Sequence, residues 1–213
     1  MKSILDFLMV PTYWEQATQE LAASDEIMQK LIVRFKGVLL HSHGDAFSTL
    51  ARAILGQQIS VKAAESIWQK LSSAIGDITP HAILEAEHDV LRGCGLSLRK
   101  MNYIQDLSMR FADGTLDSAA WSGMGDEALI DKLTQIKGIG RWTAEMFLIF
   151  HMLRPDVLPM DDLGLQRALS MHYNSNQPVS RLKMRAIAKP WQPWRSVATW
   201  YLWRSLEPLP VEY

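Results

Sequence analysis

Cysteine is almost absent: Cys94 is the one thiol in 213 residues. A single cysteine excludes a disulfide framework and any multi-cysteine metal or iron–sulfur site. Long apolar runs are missing too. None approaches the roughly 20 residues of a membrane span, so no membrane partner is expected. Met1 to Val10 carries Lys2 and Asp6 among its apolar residues and lacks a signal-peptide core and cleavage site. A cytoplasmic protein is the expectation, nucleoid-associated if bacterial. Nor is there an excess of positive charge. The chain has 22 Lys and Arg against 23 Asp and Glu, a net charge of −1. That balance argues against non-specific coating of a polyanion and leaves room for a local basic face. Alternating apolar and polar stretches bounded by turns do not occur, nor does an Asn-Gly hairpin signal. Low-complexity segments and linkers are also missing.

What is present is helical. Hydrophobic residues make up 48% of the chain and charged residues 21%, the proportions of an ordinary globular protein. Residues 11–34 carry two apolar stripes, with Ser24 and Asp25 as break and N-cap between them. Phe47 to Leu55 and Val61 to Leu71 are apolar helices on either side of Gly56-Gln57-Gln58-Ile59-Ser60, where Ser60 can cap the second. Thr79 and Pro80 start a further helix as N-cap and N1. Helices follow at Leu98 to Phe111, briefly before Trp121, and from Asp126. After Asp162 come Leu165 to Met171, the basic Ser180 to Ala188, and Trp194 to Leu206. The expected class is all-α, about ten helices with short loops. Eight Trp is high for this length. The crowd of Trp191, Trp194, Trp200 and Trp203 reads as large core side chains or as an aromatic pocket for a flat ligand. His41 and His43 near Asp45 invite a metal reading, but nothing nearby completes a coordination set.

One stretch organises the rest. Leu129, Ile130, Leu133 and Ile136 recur at helical spacing, and Ala144, Phe147 and Leu148 do the same. Between them sits Gly138-Ile139-Gly140. Two glycines flanking one apolar residue suit a turn with a buried tip and exposed backbone N–H groups. Those groups, with the N-terminus of the next helix, can hold a phosphate oxygen. About twenty residues on, Pro159-Met160-Asp161-Asp162 places an acidic pair at the start of another helix. On its own the pair reads either as a helix cap or as a functional carboxylate.

Taken together, these residues resemble the helix-hairpin-helix/Gly-Pro-Asp superfamily of base-excision DNA glycosylases. Three further matches resemble its 3-methyladenine DNA glycosylase II (AlkA-type) branch: Arg52 to Ser60, Gly138 to Ala144, and Lys189 to Ser196. The resemblance implies a two-lobed all-α fold with a cleft between the lobes, forming one catalytic unit over 1–213. One lobe would be a helical barrel over about 46–155, with the helix-hairpin-helix at 126–151. The other would combine about 1–45 with 156–213. The well-known AlkA-type enzymes carry an additional N-terminal β domain for which this chain has no room, so a compact form is expected.

The resemblance also implies roles. Asp162 matches the catalytic aspartate, and Asp161 is expected to be structural or the N-cap. Trp142 occupies the position where lyase-active relatives carry a Schiff-base lysine, so a monofunctional enzyme using water is expected. Trp142 and Trp203 match base-pocket positions, and Met146 stands where some relatives have an aromatic residue. Gln58 matches the wedge that fills the vacated stack, with Gln57 and Ser60 near the minor groove. Gly138, Gly140, Arg141 and Thr143 match the phosphate clamp. A monovalent cation, Na+ or K+, at the carbonyls of Gln135, Ile136 and Ile139 is implied by the resemblance alone; no other cofactor is expected. The expected partner is double-stranded DNA containing alkylated bases, bound by a monomer. The expected reaction is release of 3-methyladenine and 7-methylguanine. The alternatives are a non-catalytic DNA-binding module of this fold and a glycosylase for another lesion.

Overall fold

The computed structural model describes residues 11–42 and 44–206. The N-terminal ten residues and His43, half of the paired-histidine loop, lie outside the described residues. The helices in chain order are α1 (Trp14–Ser24), α2 (Glu26–Arg34), α3 (Ala46–Gly56), α4 (Val61–Ile75), α5 (Pro80–Glu85), α6 (His88–Gly93) and α7 (Leu98–Ala112). Then come α8 (Asp126–Leu133), α9 (Arg141–Phe150), α10 (Leu163–Tyr173), α11 (Arg181–Ala188) and α12 (Arg195–Leu206). Short 3-10 helices cover Ser118–Gly123 and Lys189–Trp191. No β-strand occurs among the described residues, so the protein is all-α.

The caps fall where the sequence places them. Asp25 accepts the N–H groups of Ile27 and Met28, Ser60 that of Ala63, and Thr79 that of Ala82, with Pro80 in the first turn. The segment after Pro80, expected as one helix, divides. Ala86 and Glu87 are both extended (ψ 131° and 144°), which ends α5 and restarts the chain as α6. The polar run Glu85-Ala86-Glu87-His88 holds no Gly or Pro to announce that break. The helix expected from Leu165 begins at Leu163, and the last one at Arg195 rather than Trp194.

The chain divides into two compact units: residues 1–43 with 148–213, and residues 44–147. In the 44–147 unit, α7 packs against α3, α5 and α6. Rings continue that core: Phe47, Phe111, Trp121 and Phe147 meet edge to face in series, at 5.5, 6.0 and 5.6 Å. Lys100 is the buried cation of this unit. Burial and the neighbouring Arg99 lower its pKa, and its ammonium donates to the Leu55 carbonyl at 2.5 Å near the end of α3.

The other unit is built on α12, buried along Ser196–Arg204 and packed against α1, α2 and α10. A helix buried on all sides has no polar face to read. Asp25 ties the unit together. Besides capping α2, it accepts from the Tyr173 hydroxyl and from Trp191 Nε1, each at 2.9 Å. Trp194 donates to Glu20 and stacks on Tyr13 at 5.5 Å. Arg195 grips the Asp156 carboxylate, and the Ser196 hydroxyl accepts the Val157 N–H. Trp191 and Trp194 are thus structural residues, and the loop leading to Asp162 is anchored on the start of α12.

Candidate active site

In the 44–147 unit, α8 ends at Leu133 with Thr134 as its C-cap, and the chain turns through Gln135–Gly140 into α9. Ile136 and Ile139 are buried, so the turn plants its apolar tip in the core. Gly138 has φ +87°, the left-handed region that disfavours a Cβ. A Cβ there would also lie 2.3 Å from the Tyr103 ring. Two separate constraints therefore require glycine at 138. Gly140 differs: nothing lies within 4 Å of a Cβ built there. The hairpin is held through its main chain. The Lys137 N–H donates to Asp106 Oδ2 at 3.0 Å. Gln57 Nε2 donates to the Gly138 carbonyl at 2.7 Å. The Ile136 carbonyl accepts the Ile139 N–H at 3.0 Å. Burial acts to raise the Asp106 pKa, but the Lys137 N–H and the Arg110 guanidinium outweigh it and hold the carboxyl below its ordinary range.

Arg141 opens α9 with its guanidinium committed to two carboxylates, Glu127 at 2.6 and 2.9 Å and Glu145 at 3.0 Å. What this residue can offer an anion is its backbone. Trp142 is 39% exposed, whereas Met146, one turn further on, is buried. Thr143 is half-buried.

In the Gln57–Ser60 loop, the Gln57 amide is turned onto the Gly138 carbonyl. Without a partner that carbonyl would cost the desolvation of an unpaired group, so Gln57 serves the hairpin. Ser60 faces its own helix as the α4 cap. Gln58, unlike half-buried Gln57, is exposed. It sits at φ +61°, a conformation that costs a non-glycine residue on the order of 1 kcal/mol. Its Oε1 accepts from Arg99 Nη2 at 3.1 Å. An arginine can only donate, so this contact fixes the amide with its NH2 group directed elsewhere.

In the unit built on α12, Asp162 is the N-cap of α10 and 7% exposed. Its Oδ1 accepts from the Leu165 N–H at 2.6 Å and from Trp203 Nε1 at 2.7 Å. Of the two roles expected for Asp161, structural or N-cap, the cap is made by Asp162. Asp161 is exposed and pairs with Arg181, because only the residue directly before Leu163 can reach the first-turn N–H groups. Capping and chemistry are not exclusive here, since the same contacts fix the carboxylate in place. Trp203 is buried and stacks on Phe150 at 5.6 Å and 11°, so its plane is set from one side. Gly164 completes the arrangement. A Cβ there would come within 3.1 Å of both Asp162 Oδ1 and Trp203 Cδ1.

The sequence reading missed Tyr103, Asp106, Arg99, Phe150 and Gly164. Gly164, two residues after the acidic pair, carried a usable signal. The others lie far from their partners along the chain and carry none. Among the described residues no group of three His, Cys, Asp or Glu could hold a metal ion. The hairpin's carbonyl oxygens are the hard donor type that a monovalent cation accepts.

The chain matches the HhH-GPD superfamily of base excision DNA repair proteins over residues 51–193. The Bacillus subtilis protein YfjP is 33% identical over 169 residues, 76% of this chain and 59% of its own length. The chain thus spans 59% of that relative. The crystal structure of a DNA-3-methyladenine glycosidase from Bacillus halodurans superposes with a TM-score of 0.81 at 32% identity, covering 93% of this chain and 91% of that one. A Schizosaccharomyces pombe 3-methyladenine DNA glycosylase in complex with abasic DNA gives 0.73 at 30% identity, covering 89% and 96%.

Proposed function

The chain belongs to the HhH-GPD superfamily of base excision DNA repair proteins, and we propose that it is a monofunctional DNA-3-methyladenine glycosylase. It flips alkylated purines, 3-methyladenine and 7-methylguanine, out of double-stranded DNA and hydrolyses their glycosidic bonds. The observation that carries this reading is Asp162, a buried carboxylate held by one backbone and one indole N–H at the start of α10. Breaking an N-glycosidic bond builds positive charge on the sugar. A carboxylate fixed in advance stabilises that charge without having to reorganise, and it can orient the attacking water.

Alkylation at N3 or N7 makes the purine cationic and a good leaving group, so little acid catalysis is needed. A cation over an indole face gains about 0.5–2 kcal/mol, a role for Trp142 and Trp203. Met146 would add a polarisable thioether. Gln58, strained, exposed and fixed by Arg99, would fill the gap left by the flipped nucleotide, at a flipping cost of a few kcal/mol. The N–H groups of Gly138 to Thr143 would hold a phosphate. A monovalent cation at the carbonyls of Gln135, Ile136 and Ile139 would supply positive charge to the same phosphate. The protein would act as a monomer.

Trp142 supports the water route. A Schiff base needs an amine, and an indole supplies none. The test is to incubate methylated duplex DNA with the protein, separate the released bases and add borohydride to a parallel reaction. Free 3-methyladenine is expected, with strands intact until alkali treatment and no trapped adduct. A borohydride-trapped protein–DNA adduct would overturn the monofunctional assignment, and the absence of any free base would overturn the glycosylase reading itself.

A further inference from the structure

One stretch near the C-terminus carries cations only. Between Leu163 and Leu206 there is no Asp or Glu, and there are seven Arg and Lys. The structure places three of these cations on one line. Arg181, Arg185 and Lys189 fall at i, i+4 and i+8 along α11, and Lys189 keeps helical angles (φ −62°, ψ −44°) at its end. At four-residue spacing they share a face. All three are exposed. Met184 and Ala188, on the side of α11 that flanks the stripe, are buried, so the core fixes the rotation of the helix and keeps the stripe outside. Arg181 pairs with Asp161, the residue before Asp162. Arg185 and Lys189 make no ion pair among the described residues. Arg195 and Arg204, by contrast, are engaged within the fold: Arg195 grips Asp156 and Arg204 lies over Trp200.

We propose that Arg181, Arg185 and Lys189 form a track for the phosphate backbone of the bound duplex, beginning beside the Asp161-Asp162 pair and running outward along α11. The dimensions fit. Eight residues of helix rise about 12 Å, and one DNA strand presents a phosphate about every 3.4 Å of axis. The stripe therefore spans three to four phosphates. A row of exposed cations in a chain of net charge −1 concentrates favourable potential on the one helix next to the acidic pair. It contributes affinity and orientation without reading sequence. This inference rests on the glycosylase reading for the identity of the duplex.

The test uses the full chain and the double substitution Arg185→Gln/Lys189→Gln, which leaves the Arg181–Asp161 pair in place. Binding to an undamaged duplex of about 20 base pairs is measured by fluorescence anisotropy between 50 and 200 mM KCl. Each lost phosphate contact removes about 0.9 from the slope of log K against log salt. The double variant should therefore lose about 1.8 from the slope and bind roughly tenfold more weakly at low salt. Arg185→Lys/Lys189→Arg should restore both. Thermal melting checks that the variants are folded. An unchanged slope in the folded Gln variant overturns the track, and so does a charge-retaining variant that behaves like it. If wild-type protein releases no base from methylated DNA and the slope still falls, the track stands and the glycosylase reading fails. If base is released and the slope does not move, the track fails alone.

Discussion

The hairpin and the acidic site are both short turns leading into a helix, and they are built in opposite ways. The hairpin is made from backbone. Its shape comes from Gly138 at φ +87° against Tyr103, and its neighbours Gln57 and Asp106 each bond a main-chain group of the turn. The acidic site is made from side chains, with a carboxylate positioned by an indole that is itself positioned by a phenyl ring. A site that binds phosphate through N–H groups needs a backbone shape, whereas a site that stabilises developing charge needs one atom in one place. Substitutions should therefore act on stability and DNA affinity at the hairpin, and on excision rate at the acidic site.

The largest stability effect is expected from Gly138→Ala. Positive φ and the collision with Tyr103 together should cost about 2–4 kcal/mol, read as a lowered denaturation midpoint. Adding Tyr103→Ala should recover the steric part and leave the backbone part, a coupling that a double-mutant cycle measures. Gly140→Ala, with open space around it, should cost under about 1 kcal/mol. Equal losses at the two glycines would break the steric account of the hairpin.

Next in size is the side-chain site. Trp203→Phe keeps a ring against Phe150 and removes the donor to Asp162. Hydrogen bonds to charged groups contribute about 1.5–3 kcal/mol, so single-turnover excision should fall by roughly 10- to 100-fold at little change in DNA affinity. A loss of affinity with the rate intact would mean that the indole N–H does not position Asp162. Gln57→Ala should cost about 1 kcal/mol of stability by leaving the Gly138 carbonyl without its donor. It should weaken DNA binding more than it slows excision.

The smallest effect is the pH dependence of the hairpin. The Asp106 pKa is lowered in the folded protein, so its contribution is present above the unfolded value of about 3.9 and is lost as pH falls through the folded value. Comparing wild type with Asp106→Asn between pH 6 and 3 should show a stability gap that narrows as the pH drops. A gap that widens on acidification would reverse the sign assigned to this carboxylate.

Legibility in the sequence followed the same division. Local rules read the helices and their caps well: Asp25, Ser60 and Thr79 each bond within three residues of themselves. The Gly138-Ile139-Gly140 turn was legible as a form because glycine spacing is local. Which glycine is indispensable was not, since Tyr103 lies 35 positions away and no periodicity links the two. The bond from Gln57 to the hairpin was not legible for the same reason, its acceptor being 81 positions distant. Of the two roles expected for Asp161, structural or N-cap, the cap falls one residue on, at Asp162, within the ordinary uncertainty of a helix start. In the Trp-rich C-terminus, Trp191 and Trp194 hold the unit around α12 and Trp203 is bonded to Asp162, partners too distant along the chain to be read from it.

The central claim is that Asp162 supplies chemistry rather than only a cap, and Asp162→Asn separates the two. Asparagine caps a helix about as well as aspartate, so the variant should fold and bind duplex DNA as the wild type does. The decisive measurement is its single-turnover release of 3-methyladenine at saturating enzyme. A fall of at least about 10²- to 10³-fold is expected from removing the charge at the reacting centre. Release at the wild-type rate would contradict the account and leave Asp162 as a helix cap alone.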